Sequence, residues 1–149
     1  MLIYLDLCCF NRPFDDQSQL LVHLQTQAKL FVQENIKTGQ FDLVWSAILD
    51  LENAANPDIE RSKAIAEWRT FATHDEPVTL QIESLADTLQ TMGIKSMDAL
   101  HVACAISAGA AYFLTTDKGI LRKMAQDTRI RALDPIAFLS EYRGGNDED

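Results

Sequence analysis

The distribution of apolar and polar positions along the chain predicts buried strands separated by helices. Short apolar runs rich in β-forming residues are typical of strands that are buried on both faces. These runs are LIYLDL at 2–7, FDLVW at 41–45, AAYFLTT at 110–116 and IRAL at 130–133. A shorter extended piece is expected around PVTL at 77–80.

The stretches between these runs have apolar residues at helical spacing and carry the end signals of helices. The turn-rich NRPFDDQS precedes a long helix predicted over 18–37, with Gly39 just past its end. Ser46 is the expected N-cap of a helix over AILDLENAA, and Asn56 with Pro57 is expected to open the next helix, to about residue 72. The other predicted helices cover 80–92, ended by Gly93; 97–108, between Ser96 and Gly109; 118–126, after Asp117; and 135–142, after Asp134.

Strands that alternate with helices along a chain form a parallel sheet covered by helices on both faces. The sequence therefore predicts an α/β fold with a three-layer α/β/α sandwich. One domain is expected over residues 1–143, because no linker or repeat divides them, and GGNDED at 144–149 is expected to be a disordered acidic tail. In such sheets, polar residues at the carboxyl ends of strands face the ligand crevice.

Composition narrows the class of protein. Apolar residues make up 47% of the chain, yet no apolar run reaches the roughly 18–20 residues of a membrane span. The start MLIYLDLCCF lacks the basic region of a signal peptide, so a soluble cytoplasmic protein without membrane contact is expected. Three cysteines, two of them adjacent, do not form a disulfide pattern, and we expect Cys8, Cys9 and Cys104 to be small core residues in a reducing compartment.

Four carboxylates lie where four separate elements approach one edge of the predicted sheet. Asp6 is near the end of the first strand and Asp117 follows the strand AAYFLTT, whereas Asp98 and Glu52 lie on helices. Carboxylates about 4 Å apart repel strongly, so a cation or raised pKa values must compensate them. An all-oxygen set suits Mg²⁺ or Mn²⁺, which can activate water for phosphodiester hydrolysis.

Each carboxylate also has a simpler interpretation. Asp98 can serve the dipole of its helix, Asp117 can be a helix cap, and Glu52 can lie on a solvated face, where Asp50 is equally acidic. Asp6 differs, because a carboxylate in an apolar strand is costly without a partner. A site role is therefore best supported for Asp6.

Three segments resemble the motifs of PIN domains. YLDLCCFNRPF resembles the opening, with an Asp on the first strand, and SAILDLENA resembles the second motif, in which the spacing from Ser46 selects Glu52 over Asp50. The third segment, SMDALHVACAISAGAAYFLTTDKGIL, is similar to the most recognisable stretch of PIN domains: a D-A-L-H-V-A helix start, a helix ended by glycine, an apolar strand and then T-x-D. The resemblance covers nearly the whole chain.

The resemblance implies a PIN-like fold, one or two Mg²⁺ or Mn²⁺ ions, and endoribonuclease activity. It makes Asp6, Glu52, Asp98 and Asp117 the catalytic and metal-binding residues, with Thr115 as a supporting hydroxyl. Many small bacterial members are VapC-like toxins that form homodimers and pair with an antitoxin protein. Two positions depart from the pattern: Leu7 and Cys8 follow the first Asp where a small hydroxyl residue is common, and Gly119 replaces an acidic residue.

The formal net charge of −9 disfavours non-specific binding to a phosphate backbone. Basic residues nevertheless cluster in sequence around the proposed site, as a local rim or as ordinary solvated side chains. The candidates for RNA binding are Arg12, Lys95, Lys118 and Arg122, with Lys123 beside them. His101, one turn after Asp98, is expected to be a packed residue or a supporting residue rather than a catalytic one.

Other functions remain as alternatives. A phosphatase with a nucleophilic Asp6 needs a second Asp where Cys8 stands, and the helix start at Asp98 does not fit a phospho-receiver domain. The glycine patterns of nucleotide-binding loops are absent from the sequence. The main alternative is a PIN-fold binding module with weak or no nuclease activity that acts through a protein partner.

Overall fold

The structure is a computed structural model that describes the backbone of residues 1–147 and the side chains of residues 1–143. The strands are β1 Leu2–Leu5, β2 Asp42–Ser46, β3 Ala72–Glu76, β4 Tyr112–Leu114 and β5 Arg131–Leu133. The helices are α1 Leu7–Asn11, α2 Leu20–Lys37, α3 Ala47–Ala54, α4 Ile59–Ala66, α5 Leu80–Gln90, α6 Ser96–Ser107, α7 Lys118–Met124 and α8 Pro135–Asp147. Short 3-10 helices cover Arg12–Phe14 and Glu67–Phe71.

The five strands form one parallel sheet in the order β3-β2-β1-β4-β5. The chain builds outward from β1 through β2 to β3 and then returns to place β4 on the other side of β1. Strand order therefore reverses between β1 and β4, which is where open α/β sheets bind their ligands. Helices cover the sheet, so the predicted three-layer α/β/α sandwich is confirmed.

The core lies on both faces of the central strands. Ile3, Tyr4 and Leu5 of β1 and Trp45 of β2 are fully buried, which explains why these strands are almost continuously apolar. Each such side chain stabilises the fold by about 1.5–3 kcal/mol relative to exposure. Helix α2 packs on α8, and α5 packs on α6.

One buried charge interrupts this core. Lys29 of α2 is 2% exposed, and its Nζ lies 5.5 Å from the ring centre of Phe10 and 5.9 Å from that of Trp68. Burial lowers the pKa of Lys29 to about 7. The amine is therefore held where its charged form is disfavoured.

Most predicted helix ends are confirmed. Ser46 caps α3, with Oγ accepting from the Leu49 amide at 3.1 Å, and Asp117 caps α7 by accepting from the Ile120 amide at 3.0 Å. Gly93 and Gly109 follow helices at φ of 91° and 76°, the left-handed region that glycine adopts without strain.

Several local predictions are wrong for identifiable reasons. The extended piece predicted around PVTL is not a strand; the strand in this part of the chain is β3, Ala72–Glu76. It was missed because β3 is a polar edge strand whose residues are mostly exposed. The helix after Asn56 starts later, since the Asn56 side chain accepts from the Asp58 amide at 3.1 Å and Asp58 becomes the N-cap. The same helix ends at Ala66 instead of near residue 72.

Two further helix starts differ from the sequence-based expectation. The N-cap position before α6 is Lys95, so Ser96 is the first helical residue rather than the cap. The first strand ends at Leu5, and the helix α1 follows before the predicted turn-rich stretch. This helix begins at Leu7 because Asp6 caps it by accepting from the Leu7 amide at 2.8 Å.

The end of α8 overlaps the predicted acidic tail. The helix runs to Asp147, and residues 148–149 lie outside the described residues, so the disorder of 144–149 stays a prediction. Within the part of the chain that the structure describes, no helix combines the length and the hydropathy needed to cross a bilayer.

Candidate acidic site

The centre of the candidate site lies at the carboxyl ends of β1 and β4, where the strand order reverses. Asp6 follows β1 and is almost fully buried, and Thr115 follows β4 and is fully buried. The Thr115 hydroxyl donates to Asp6 Oδ2 at 2.8 Å, and the Asp6 amide donates to the Leu114 carbonyl at 2.9 Å. Adjacent parallel strands thus bring together two residues that are far apart in sequence.

Asp117 is linked to this pair through Thr115. Its amide donates to Thr115 Oγ1 at 3.1 Å, and its Oδ1 receives the Ile120 amide as the α7 cap. A Cβ atom at Gly119 would lie 3.0 Å from Asp117 Oδ1. The departure from the family pattern at Gly119 therefore leaves room beside the Asp117 carboxylate.

Asp98 in the first turn of α6 responds to the other three carboxylates. Burial, and then the charges of Asp6 and Asp117, raise the pKa of Asp98 from 3.8 to about 6, with a smaller contribution from Glu52. Because like charges act on Asp98 from three other elements, the structure brings together all four acidic residues that the sequence singled out.

His101 is more closely integrated into the site than its sequence position indicated. It is fully buried, its Nε2 lies 3.2 Å from Glu52 Oε1, and its Nδ1 lies 2.6 Å from the Tyr4 hydroxyl. The Tyr4 hydroxyl also lies 2.7 Å from Ser46 Oγ. Ser46, the first residue of the second motif, is therefore connected to Glu52 through the buried side chains of Tyr4 and His101.

The direction of the hydrogen bond between His101 and Glu52 follows from the carboxylate. An ionised carboxylate only accepts, so His101 Nε2 carries a proton and donates to Glu52. The other ring nitrogen, Nδ1, lies 2.6 Å from the Tyr4 hydroxyl, and burial raises the pKa of Tyr4 well above its ordinary value, so that the phenol keeps its proton. His101 thereby positions Glu52.

The possible metal ligands are consistent with this assignment. Oxygen atoms of Asp6 and Glu52 and a ring nitrogen of His101 all lie within 4.8 Å of one another. With the His101 proton directed at Glu52, the donors available to a cation are carboxylate oxygens. Such an all-oxygen set fits a hard divalent ion such as Mg²⁺ or Mn²⁺.

Cys8 departs from the expected core packing. Cys9 and Cys104 are fully buried, but Cys8 is half-buried, with Sγ 3.4 Å from both Asp6 Oδ2 and Thr115 Oγ1. It also accepts from the Thr116 amide at 3.3 Å. The thiol thus stands beside Asp6, near the position where the family commonly has a hydroxyl.

The basic residues divide into two groups. Arg12 is engaged by other residues, since it donates to Gln25 and pairs with Asp15 at 2.8 Å. Lys95 and Lys123 line a small cleft of about 120 Å³ together with Asp98 and Asp117. Lys118 and Arg122 are exposed and make no ion pair with a described residue.

A larger cleft opens on the other side of Glu52. It measures about 460 Å³, and we call it the Asn11 cleft; its wall includes Leu7, Asn11, Glu52, Asn56, Pro57 and Arg61. Sequence reasoning did not single out Asn11, Asn56 or Arg61 as site residues. Their positions carry no acidic or metal-ligand signal, and only the packing of α1 against α3 and α4 brings them together.

Comparisons with known proteins identify the fold. No protein-family model matches the chain, and no curated protein matches it. Among solved structures, FitAcB from Neisseria gonorrhoeae is 14% identical, with a TM-score of 0.59 over 89% of this chain and 97% of that chain. VapBC2 from Rickettsia felis, bound to a DNA fragment from their promoter, is 12% identical, with a TM-score of 0.55 over 90% and 98%.

VapBC-1 from nontypeable Haemophilus influenzae is 18% identical, with a TM-score of 0.54 over 91% of this chain and 98% of that chain. Each likeness spans almost the whole of both chains, and at such low identity it concerns the fold. The structural likeness agrees with the motifs in the sequence. This chain has a PIN-like fold of the VapC type.

Proposed function

We propose that the chain is a metal-dependent endoribonuclease that hydrolyses phosphodiester bonds at Asp6, Glu52, Asp98 and Asp117. The observation that carries the proposal is the convergence of the four carboxylates: Asp6 and Glu52 offer oxygens within 4.8 Å of each other, Asp117 is joined to Asp6 through Thr115, and Asp98 lines one cleft with Asp117. Burial and the charges of Asp6 and Asp117 also raise the pKa of Asp98 to about 6. Asp98 makes no ion pair with a described residue, and the charges of Asp6, Asp117 and Glu52 act on it in the direction that disfavours its ionised form. Concentrated negative charge of this kind supports a site for Mg²⁺ or Mn²⁺.

The side chains have distinct parts in this proposal. A bound Mg²⁺ or Mn²⁺ would supply a more acidic water and positive charge for the phosphoryl oxygen. Asp6 is fixed for binding by the Leu7 amide and the Thr115 hydroxyl, and Glu52 is fixed by His101. Glu52 is the group placed to accept a proton, because it is half-buried and borders the open Asn11 cleft.

RNA as substrate has support from local charge despite the net charge of −9. Lys95 and Lys123 border the cleft on the Asp98 side, and Arg61 borders the cleft on the Glu52 side. A single strand that crosses the carboxylates would therefore meet a cationic side chain on each side. Phosphate contacts of this type make binding depend on salt.

The proposal extends to partners and setting. The solved structures that share the fold include VapBC assemblies, one of which contains promoter DNA. We infer by analogy that this chain is the toxin of a toxin–antitoxin pair, with an antitoxin protein as partner and a homodimer as its own assembly. The free thiols of Cys8, Cys9 and Cys104 agree with a reducing compartment such as the cytoplasm.

The test is nuclease activity on single-stranded RNA with Mn²⁺, compared between the wild type and Asp98→Asn. Glu83→Gln is the matched control, because Glu83 is also an acidic residue in the first turn of a helix but lies on α5, outside the four-carboxylate site. We expect cleavage by the wild type and the control, and a loss of at least about a hundredfold in Asp98→Asn. Equal cleavage by wild type and Asp98→Asn would refute the four-carboxylate mechanism.

A binding module is the second candidate function. Leu20, Leu21 and Leu24 of α2 are 71%, 51% and 46% exposed, which is unusual for large apolar side chains at helical spacing. This surface favours a protein partner. Binding of Mn²⁺ without cleavage of any tested RNA would support the module and contradict the enzyme.

A further inference from the structure

The Asn11 cleft has the chemistry of a nucleobase site. This inference rests on the proposed ribonuclease function and concerns what lies beside the scissile bond. Glu52 belongs both to the acidic centre and to the wall of the cleft. A ligand in the cleft is therefore a direct neighbour of a phosphodiester held at the carboxylates.

Hydrogen-bonding groups in the cleft are available to a ligand. The Asn11 side chain makes one long contact, from Asn56 Nδ2 to Asn11 Oδ1 at 3.5 Å, and its own Nδ2 has no partner among the described residues. The Asn56 Oδ1 is already used by the Asp58 amide. Asn11 thus offers an acceptor and donors side by side, which is the pattern that reads the edge of a base.

The remaining walls combine apolar surface that can hold a flat ring with the carboxylates of Glu52 and Asp58 and the guanidinium of Arg61. Leu7 and Pro57 provide apolar surface, and the Arg61 guanidinium lies 5.3 Å from the Phe14 ring centre. Arg61 NH2 donates to the Phe14 carbonyl at 2.9 Å, which orients the guanidinium, while its buried Nε has no partner among the described residues. Arginine planes and apolar walls hold unstacked bases in RNA complexes.

We propose that the Asn11 cleft binds the nucleobase of the RNA nucleotide adjoining the bond that is cleaved, with Asn11 contacting the base edge. The volume of about 460 Å³ falls in the range of small-molecule sites. This subsite gives the enzyme a preference for sequence next to the cut. Arg61 is the cationic side chain on this wall of the cleft, and its guanidinium also lies 3.7 Å from Asp15 Oδ1.

One experiment measures binding without cleavage. Each of the four ribonucleoside 5′-monophosphates is titrated into the Asp98→Asn protein, and the side-chain amide signals of Asn11 and Asn56 are followed by NMR. We expect these signals to shift and saturate, with an order of preference among the four bases. The exposed amide of Gln90 at the end of α5 is the control and is expected to stay unchanged.

A second experiment measures cleavage by Asn11→Ala and Asn11→Asp, with Gln90→Ala as control. Asn11→Ala is expected to raise KM about fivefold with little change in kcat, as for one lost hydrogen bond. Asn11→Asp keeps the shape but replaces the donor, so it is expected to change the sequence found beside the cut. Because Asp is nearly isosteric, this readout does not depend on a fold-disturbing change.

The outcomes separate the two proposals. If the wild type cleaves RNA but the Asn11 variants keep its KM and cut sites, the subsite is wrong and the nuclease stands. If mononucleotides shift the Asn11 signal but no RNA is cleaved, the nuclease is wrong and the base site stands. Unchanged Asn11 signals at saturating mononucleotide overturn the subsite, and the cleft is then open to a segment of a protein partner.

Discussion

Replacing Asp98 by asparagine is expected to stabilise the metal-free protein even as it removes a site carboxylate. In the fold, burial and the charges of Asp6 and Asp117 raise the pKa of Asp98 from 3.8 to about 6. The folded state therefore binds the proton more tightly than the unfolded chain does. The resulting stabilisation is fully present below pH 3.8 and is lost as the pH rises through about 6.

The size of the effect follows from that difference. A pKa raised by about two units corresponds to ~3 kcal/mol, and partial exposure with solvent screening reduces it to ~1–2 kcal/mol. Asparagine also loses the favourable contact of a first-turn carboxylate with its helix, which costs about 0.5 kcal/mol. The net gain is about 1 kcal/mol at pH 7.5, or a Tm increase of about 3 °C for a domain of this size.

Thermal unfolding in EDTA at pH 7.5 and at pH 4 measures this prediction. Asp98→Asn is expected to melt higher than the wild type at pH 7.5, and the advantage is expected to vanish at pH 4. Glu83→Gln, which removes a first-turn carboxylate away from the site, reports the helix term alone. The reasoning is refuted if both variants lower Tm by the same amount at pH 7.5.

Three further predictions concern other side chains. His101→Leu is expected to lower activity or Mn²⁺ affinity by about 10–100-fold. His101→Gln keeps an N–H towards Glu52 and is expected to retain most of both, so equal losses in the two variants would contradict a positioning role. Lys29→Met is expected to raise the free energy of unfolding by ~2 kcal/mol or more at pH 6, as measured by urea titration. Burial lowers the pKa of Lys29 from 10.5 to about 7, so between these two pH values the unfolded chain binds a proton that the folded protein has lost. The gain from Met is therefore expected to shrink as the pH rises from 7 to 10.5. Lys95→Ala is expected to reduce the slope of log binding constant against log salt concentration for single-stranded RNA by about 0.7. Arg12→Ala should leave this slope unchanged, because Arg12 is already paired with Asp15. If only Arg12→Ala changed the slope, the basic rim would lie on the other side of the site.

The sequence predicted those features whose cause is local or repeated along the chain. Ser46 and Asp117 were recognisable as caps because a polar residue precedes an amphipathic run, and their side chains do accept the expected amides. The apolar strands β1, β2 and β4 were recognisable because burial on both faces demands continuous apolar residues. Strand-end position then located Asp6 and Asp117.

Features that depend on a partner element were missed. The strand β3 reads as polar because it lies at the edge of the sheet and satisfies its backbone through β2 alone. His101 was expected to be a packed or supporting residue, but nothing near it in sequence shows that Tyr4 and Glu52 flank its ring. The contacts of Arg12 with Asp15 and Gln25 were also not indicated by the sequence, and its part in RNA binding stays a prediction.

The position of β1 in the middle of the sheet has a consequence for the order of folding. Asp6 is among the first residues of the chain, yet the hydroxyl that fixes its carboxylate comes from Thr115, 109 positions later. Contacts of such long sequence separation form late and slowly. A growing chain that has not yet added β4 therefore holds Asp6 without Thr115 and without Asp117, so the four carboxylates come together only when the sheet is nearly complete.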